Sequence, residues 1–126
     1  MRLLWICIAG AVGTGARYLL GDWILRQTGP LFPWSTLIIN ALGSFLLGAI
    51  MQVALSVEGF DPTLRVALTT GLMGGFTTYS TFNYESLRLF EEGALWLGAL
   101  NVGGTVICCL LAGRLGMLLG HLLVGA

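Results

Sequence analysis

Gly71-Leu-Met-Gly-Gly-Phe-Thr-Thr-Tyr-Ser-Thr-Phe-Asn-Tyr-Glu85 decides how this chain is read. It lies inside a long apolar run, yet Gly71, Gly74 and Gly75 fall close together. Thr77, Thr78, Ser80, Thr81 and Asn83 follow within nine residues of Gly75. A helix facing lipid gains nothing from such a cluster. Glycine weakens a helix, and hydroxyls in hydrocarbon must find partners without water. Irregular backbone at membrane depth survives where protein buries it, where it lines a wet cavity or where it binds an ion. The stretch therefore predicts a helix break over 74–77. The alternative is an unbroken helix whose small residues serve a close helix–helix contact.

Outward from this stretch the chain is apolar nearly throughout. It has 126 residues, 56% hydrophobic and 10% charged, with a mean hydropathy of +0.89. Soluble domains carry about 25% charged residues, so the composition specifies a polytopic membrane protein. A spanning helix needs about 20 apolar residues. Leu3 to Leu20 is interrupted only by Arg17, and Pro33–Val57, Val66–Tyr84 and Gly93–Gly113 carry no charge. The expectation is one all-α transmembrane domain over 1–126, with spans near 3–25, 33–57, 62–91 (broken) and 94–122. The first run continues past the length of a signal h-region and is read as a retained span.

Net charge is zero, which does not point to a nucleic-acid partner. All six basic residues are Arg. Arg2 and Arg65 fall towards one side and Arg26 and Arg88 towards the other, so the charge bias that orients membrane proteins is balanced. A chain inserting both ways is able to build an antiparallel dimer. Cys7, Cys108 and Cys109 lie in predicted spans without C-x-x-C spacing and are read as buried small apolar residues.

Several residues carry local expectations. Ala9/Gly13 and Ala11/Gly15 form small-xxx-small pairs in the first span, and Gly116/Gly120 does so in the last. Arg17 either snorkels to the interface or faces a polar vestibule. Asp22 and Arg26 are spaced to pair, and Arg88 is spaced to meet Glu85, Glu91 or Glu92. Gly29-Pro30 ends the first helix. Asp61 suits an N-cap with Pro62 in the first turn. Asn40, Ser44 and Gly48 share one helix face, as do Asn101, Thr105 and Cys109. Asn40 reads either as interhelical glue or as part of a site.

No catalytic constellation is present: no Ser/His/Asp set, no metal-ligand cluster and no phosphate loop. The spans hold no acid well inside, which excludes a carboxylate proton relay. What remains are neutral donors and aromatic edges, which carry positive partial charge. These suit a small anion, while carbonyls freed by a break suit a cation.

The string GGFTTYSTF over Gly74–Phe82, with Asn40 and Glu85, closely resembles the Fluc/CrcB fluoride channels. The likeness extends to length, span number and loop spacing. It implies a dual-topology antiparallel homodimer, multi-pass in the bacterial inner membrane, with two fluoride pores that let cytoplasmic fluoride out passively. It further implies one central structural sodium ion on the carbonyls of Gly74 and Thr77. The pore residues carried over are Asn40, Tyr79, Phe82, Ser80, Thr81, Thr105 and Cys109, with Arg17 in the vestibule. Two positions depart from the family pattern. Tyr79 stands where Phe is usual, keeping the ring edge and adding a hydroxyl. Cys109 stands where Ser is frequent, and a thiol is a weak donor. Two other readings compete: a small multidrug-type dual-topology exporter, or a membrane assembly subunit without transport. The exporter needs an acid embedded in the first span, and residues 3–21 contain none.

Overall fold

The computed structural model describes residues 1–125, and all regular structure in them is helical. Helix α1 runs Arg2–Thr28 and ends as its composition requires. Gly29 takes φ 78°, a left-handed conformation open to glycine, and its N–H donates to the Leu25 carbonyl at 2.8 Å. Helix α2 is Trp34–Ser56. The third apolar run is cut into pieces: α3 (Pro62–Val66), a π-helical segment (Ala67–Met73), α4 (Gly74–Phe76) and α5 (Tyr79–Glu91). Asp61 caps α3 by accepting from the Thr63 N–H at 3.2 Å, with Pro62 behind it in the first turn. Gly93, at φ 81°, turns the chain into α6, Leu95–Leu123. Three helices, α1, α2 and α6, are long and apolar enough to cross a membrane. No single piece of the 62–91 stretch is, because it is segmented.

The break falls later than the glycines predict. Gly74 is helical, with φ −61° and ψ −37°, and α4 continues to Phe76. The extended residues are Thr77 (ψ 160°) and Thr78 (φ −151°, ψ 114°). The expected interval 74–77 is thus corrected to 77–78. The cause is side-chain capture rather than glycine flexibility. Thr78 becomes the N-cap of α5, its hydroxyl accepting from the Thr81 N–H, while Thr77 Oγ1 donates back to the Met73 carbonyl at 2.9 Å. The glycines serve contact instead. A methyl group on Gly71 would lie 2.7 Å from the Ile6 carbonyl, and one on Gly75 would lie 2.5 Å from the Gly10 carbonyl. A methyl on Gly13 would strike the Leu72 carbonyl outright. Backbone therefore rides on backbone where α1 crosses the π segment and α4.

A second seam joins α2 and α6, the most extensively packed helix pair. Gly116 lies against the Phe45 carbonyl, Gly48 against the Gly113 carbonyl, and Gly120 against Ala49 and Gln52. Without water to drive apolar burial between helices, close approach and dispersion carry such contacts. Ile24, Ile39, Met73 and Phe76 form the small interior cluster between the two seams. Two expectations fail here. Gly15 meets nothing, so only the Gly13 half of the first-span pairs packs within the chain. Cys7 and Cys108 are exposed and Cys109 is half-buried, all three free. A thiol needs no partner in hydrocarbon, so the outer face accepts it as readily as the core.

At the helix ends, Arg26 pairs with Asp22 at 2.9 Å and Arg88 reaches Glu92 at 3.5 Å. Both pairs are well exposed and contribute about 0–1 kcal/mol.

Candidate functional site

Asn40, in the second turn of α2, faces the break. Its Oδ1 accepts the Thr78 N–H at 2.8 Å, and its Nδ2 donates to the Thr78 carbonyl at 2.9 Å. One amide side chain thus pairs with one peptide unit as a neighbouring strand would, and the extended residue has its main-chain groups satisfied. One of the two Nδ2 hydrogens is left over.

The carbonyls around the break follow from simple accounting. In an unbroken helix each accepts the N–H four residues on. Gly74 would receive from Thr78, but that N–H is held by Asn40. Thr77 would receive from Thr81, but that N–H goes to Thr78 Oγ1 at 3.3 Å. Between them, the Gly75 carbonyl accepts from Arg17 Nε at 3.0 Å, and the Thr78 carbonyl accepts from Asn40. The Phe76 carbonyl, whose helical donor would be the Ser80 N–H, receives no hydrogen bond either, so Gly74, Phe76 and Thr77 all lose their helical donors and no side chain replaces them. Gly74 is also exposed, with no atom crowding its Cα. Freed carbonyls without a carboxylate nearby match a weakly charged monovalent cation better than a divalent one.

Two cavities meet at Thr78, which lines both. The smaller, about 350 Å³, is walled by Asn40, Ser44, Thr77, Tyr79, Phe82, Thr105 and Cys109, with Gly43, Leu47, Met73 and Val106. None of its lining residues is charged. The rings of Tyr79 and Phe82 sit 5.7 Å apart at an angle of 43°, Phe82 buried and Tyr79 75% exposed. The larger cavity, about 620 Å³, holds Arg17, Asp22, Thr36, Thr81, Glu85, Arg88 and Glu92. Of the residues expected in a pore, Asn40, Tyr79, Phe82, Thr105 and Cys109 share the neutral cavity. Thr81 lines the charged one, together with Arg17, the residue expected in the vestibule. Ser80 lines neither; its exposed hydroxyl lies 3.4 Å from that of Thr78. The neutral cavity offers donors and ring edges, the chemistry that compensates an anion stripped of water.

A family model described as CrcB-like protein, Camphor Resistance (CrcB), matches residues 4–117. The chain belongs to the CrcB family. Among its relatives, the "Fluoride-specific ion channel FluC" of Sorangium cellulosum (strain So ce56) is 50% identical over 123 residues, covering 98% of this chain and 97% of that one. The protein of the same name from Anaeromyxobacter sp. (strain K) is 51% identical over 124 residues, covering 98% of each. The one from Geobacter sulfurreducens is 46% identical over 108 residues, covering 86% and 87%. CrcB membership and three long apolar helices make this a multi-pass membrane protein.

The sequence named Glu85 without giving it a role in this CrcB chain, and it missed Ser86 altogether. Ser86, buried, joins α5 to α6 through Asn101. Its spacing of four from Phe82 was the available signal. Glu85 carries a buried Oε1 without a hydrogen-bond partner and faces the charged cavity beside Thr36.

Proposed function

We propose that this chain is the subunit of a fluoride channel that lets cytoplasmic fluoride leave a bacterial cell passively across the inner membrane. The observation that carries this is the neutral cavity, which gathers Asn40, Ser44, Tyr79 and Phe82 around one space without a full charge. Relatives bearing the fluoride-channel name align over nearly the whole chain and support the choice of anion. Neutral donors and ring edges compensate a dehydrated ion without a charge that would trap it, which favours passage.

Two opposed copies complete the pore. Tyr79 is 75% exposed, and Ser80 and Asn83 are exposed beside it on the third run. Polar groups at that depth need protein around them, and a second copy related by a two-fold axis at the break supplies it. That axis would bring two Gly74 and two Thr77 carbonyls together. They would hold one sodium ion, whose chemistry is to neutralise four converging carbonyl dipoles. Arg17 and Glu85, in the charged cavity, form the vestibule through which the anion arrives.

Fluoride efflux from liposomes containing the purified protein tests the reading. Rapid efflux, unaffected by a proton gradient, is expected; vesicles no leakier than protein-free ones would reject it. A multidrug-type exporter would instead couple organic cations to protons, and the absence of an acid in residues 3–21 leaves it no coupling group.

A further inference from the structure

Between α5 and α6 four polar groups form one chain of hydrogen bonds whose protons are each accounted for. Ser86 Oγ lies 2.8 Å from the Phe82 carbonyl. A carbonyl donates nothing, so the single Ser86 proton points there. Ser86 must then accept from Asn101, which lies 2.8 Å away and presents its Nδ2. That fixes the amide, turning Asn101 Oδ1 towards Thr105 Oγ1 at 3.2 Å. The single Thr105 proton therefore points at Asn101. Asn101 is 1% exposed and Thr105 5%, so turning the Thr105 hydroxyl away would leave a buried amide oxygen bare, the costly half of a broken hydrogen bond.

Thr105 also lines the neutral cavity, but with its proton committed it shows that cavity only lone pairs. Cys109, one turn on, adds a weak donor. Across the cavity, Asn40 retains an unspent Nδ2 hydrogen, and Ser44 and the Tyr79 phenol carry hydroxyls. We propose that Asn101 is a positioning residue that keeps the Thr105 proton out of the anion route, so that the route draws its donors from α2 and α5 and not from α6. This rests on the fluoride-channel reading and replaces the role that family resemblance gives Thr105.

The test is fluoride efflux and thermal unfolding of Thr105→Val, Asn101→Leu and the double variant, each reconstituted from detergent as the wild-type protein is. Thr105→Val should conduct within about threefold of wild type while melting lower, because Asn101 Oδ1 loses its donor. The double variant, with both partners apolar, should recover the lost stability and still conduct. Asn101→Leu alone releases the Thr105 hydroxyl, so its half-saturating fluoride concentration should fall below that of the double variant. Removing a donor that serves the ion directly would instead cost on the order of a hundredfold. Such a loss in Thr105→Val and in the double variant, reversed by Thr105→Ser, would overturn the proposal. So would identical saturation in Asn101→Leu and the double variant. If Thr105→Val cannot be purified, the double variant decides alone. Absence of efflux in wild type would defeat the channel reading instead, and the order of melting temperatures would still report on the proton assignment.

Discussion

Asn40 holds two tasks in one amide. It presents a donor to the neutral cavity, and it clamps the Thr78 peptide unit through both Oδ1 and Nδ2. Asn40→Asp keeps the acceptor for the Thr78 N–H but faces a carboxylate oxygen towards the Thr78 carbonyl. It also places negative charge at membrane depth. Fluoride efflux should vanish, and the folded protein should lose about 1–3 kcal/mol as well; efflux with thermal unfolding measures both. Arg17 offers a comparable case. Its Nε bond to the Gly75 carbonyl is one a lysine ammonium on a flexible stem does not reproduce. Arg17→Lys keeps the vestibule charge, so unfolding should register a loss of about 1.5–3 kcal/mol, whereas a purely electrostatic Arg17 predicts wild-type stability. Sequence placed Asn40 and Arg17 at the site but not their partners. Which peptide group a side chain engages depends on distances across 38 and 58 residues, and no local pattern encodes that.

At the scale of elements, the third apolar run is where expectation and structure diverge most usefully. Glycine clustering predicted irregularity over 74–77. The structure instead spends the glycines on contact with α1 and lets threonines break the chain at 77–78. The π segment before it left no mark in the sequence, since its residues alternate no differently from an α-helix. Gly71→Ala tests the contact account. Its methyl would lie 2.7 Å from the Ile6 carbonyl and 2.9 Å from the Ala9 Cβ. Overpacking of this kind costs about 1–3 kcal/mol, to be read from thermal unfolding. Gly15→Ala, in open space, should cost nothing. The ring pair makes a separate prediction. Phe82→Ile keeps an apolar side chain and removes the ring edge, so efflux should fall steeply. Tyr79→Phe keeps the edge and should conduct. Normal conduction by Phe82→Ile would leave the rings as packing only.

For the whole molecule, the single chain leaves polar residues of its third run uncovered, and its arginines are balanced between the two ends. Both facts were visible in the sequence as a cluster of hydroxyls in an apolar run and as a charge count. What encloses that cluster was not visible, because the residues that answer one another across a two-fold axis are the same residues. Opposed copies predict that a cysteine-specific label on an added N-terminal tag reacts from both faces of intact vesicles in equal measure. Reaction from one face only would exclude the antiparallel assembly.

The clamp on Thr78 also shapes what heredity can change. Thr78 stands where the two cavities meet, but it is held there by its own N–H and carbonyl, groups that every non-proline residue shares. Point mutations at codon 78 therefore leave the Asn40 clamp in place and act through the α5 cap that the Thr78 hydroxyl supplies, whereas mutations at codon 40 release the backbone itself. In a selection for cells that regain or lose fluoride tolerance, the boundary between the cavities should be reached through alleles at 40, or at Gly43, where any added side chain would press on Thr77. At position 78 the alphabet narrows to residues whose side chain caps α5 as the Thr78 hydroxyl does, Ser, Asp and Asn foremost, and proline is refused because it has no N–H for Asn40.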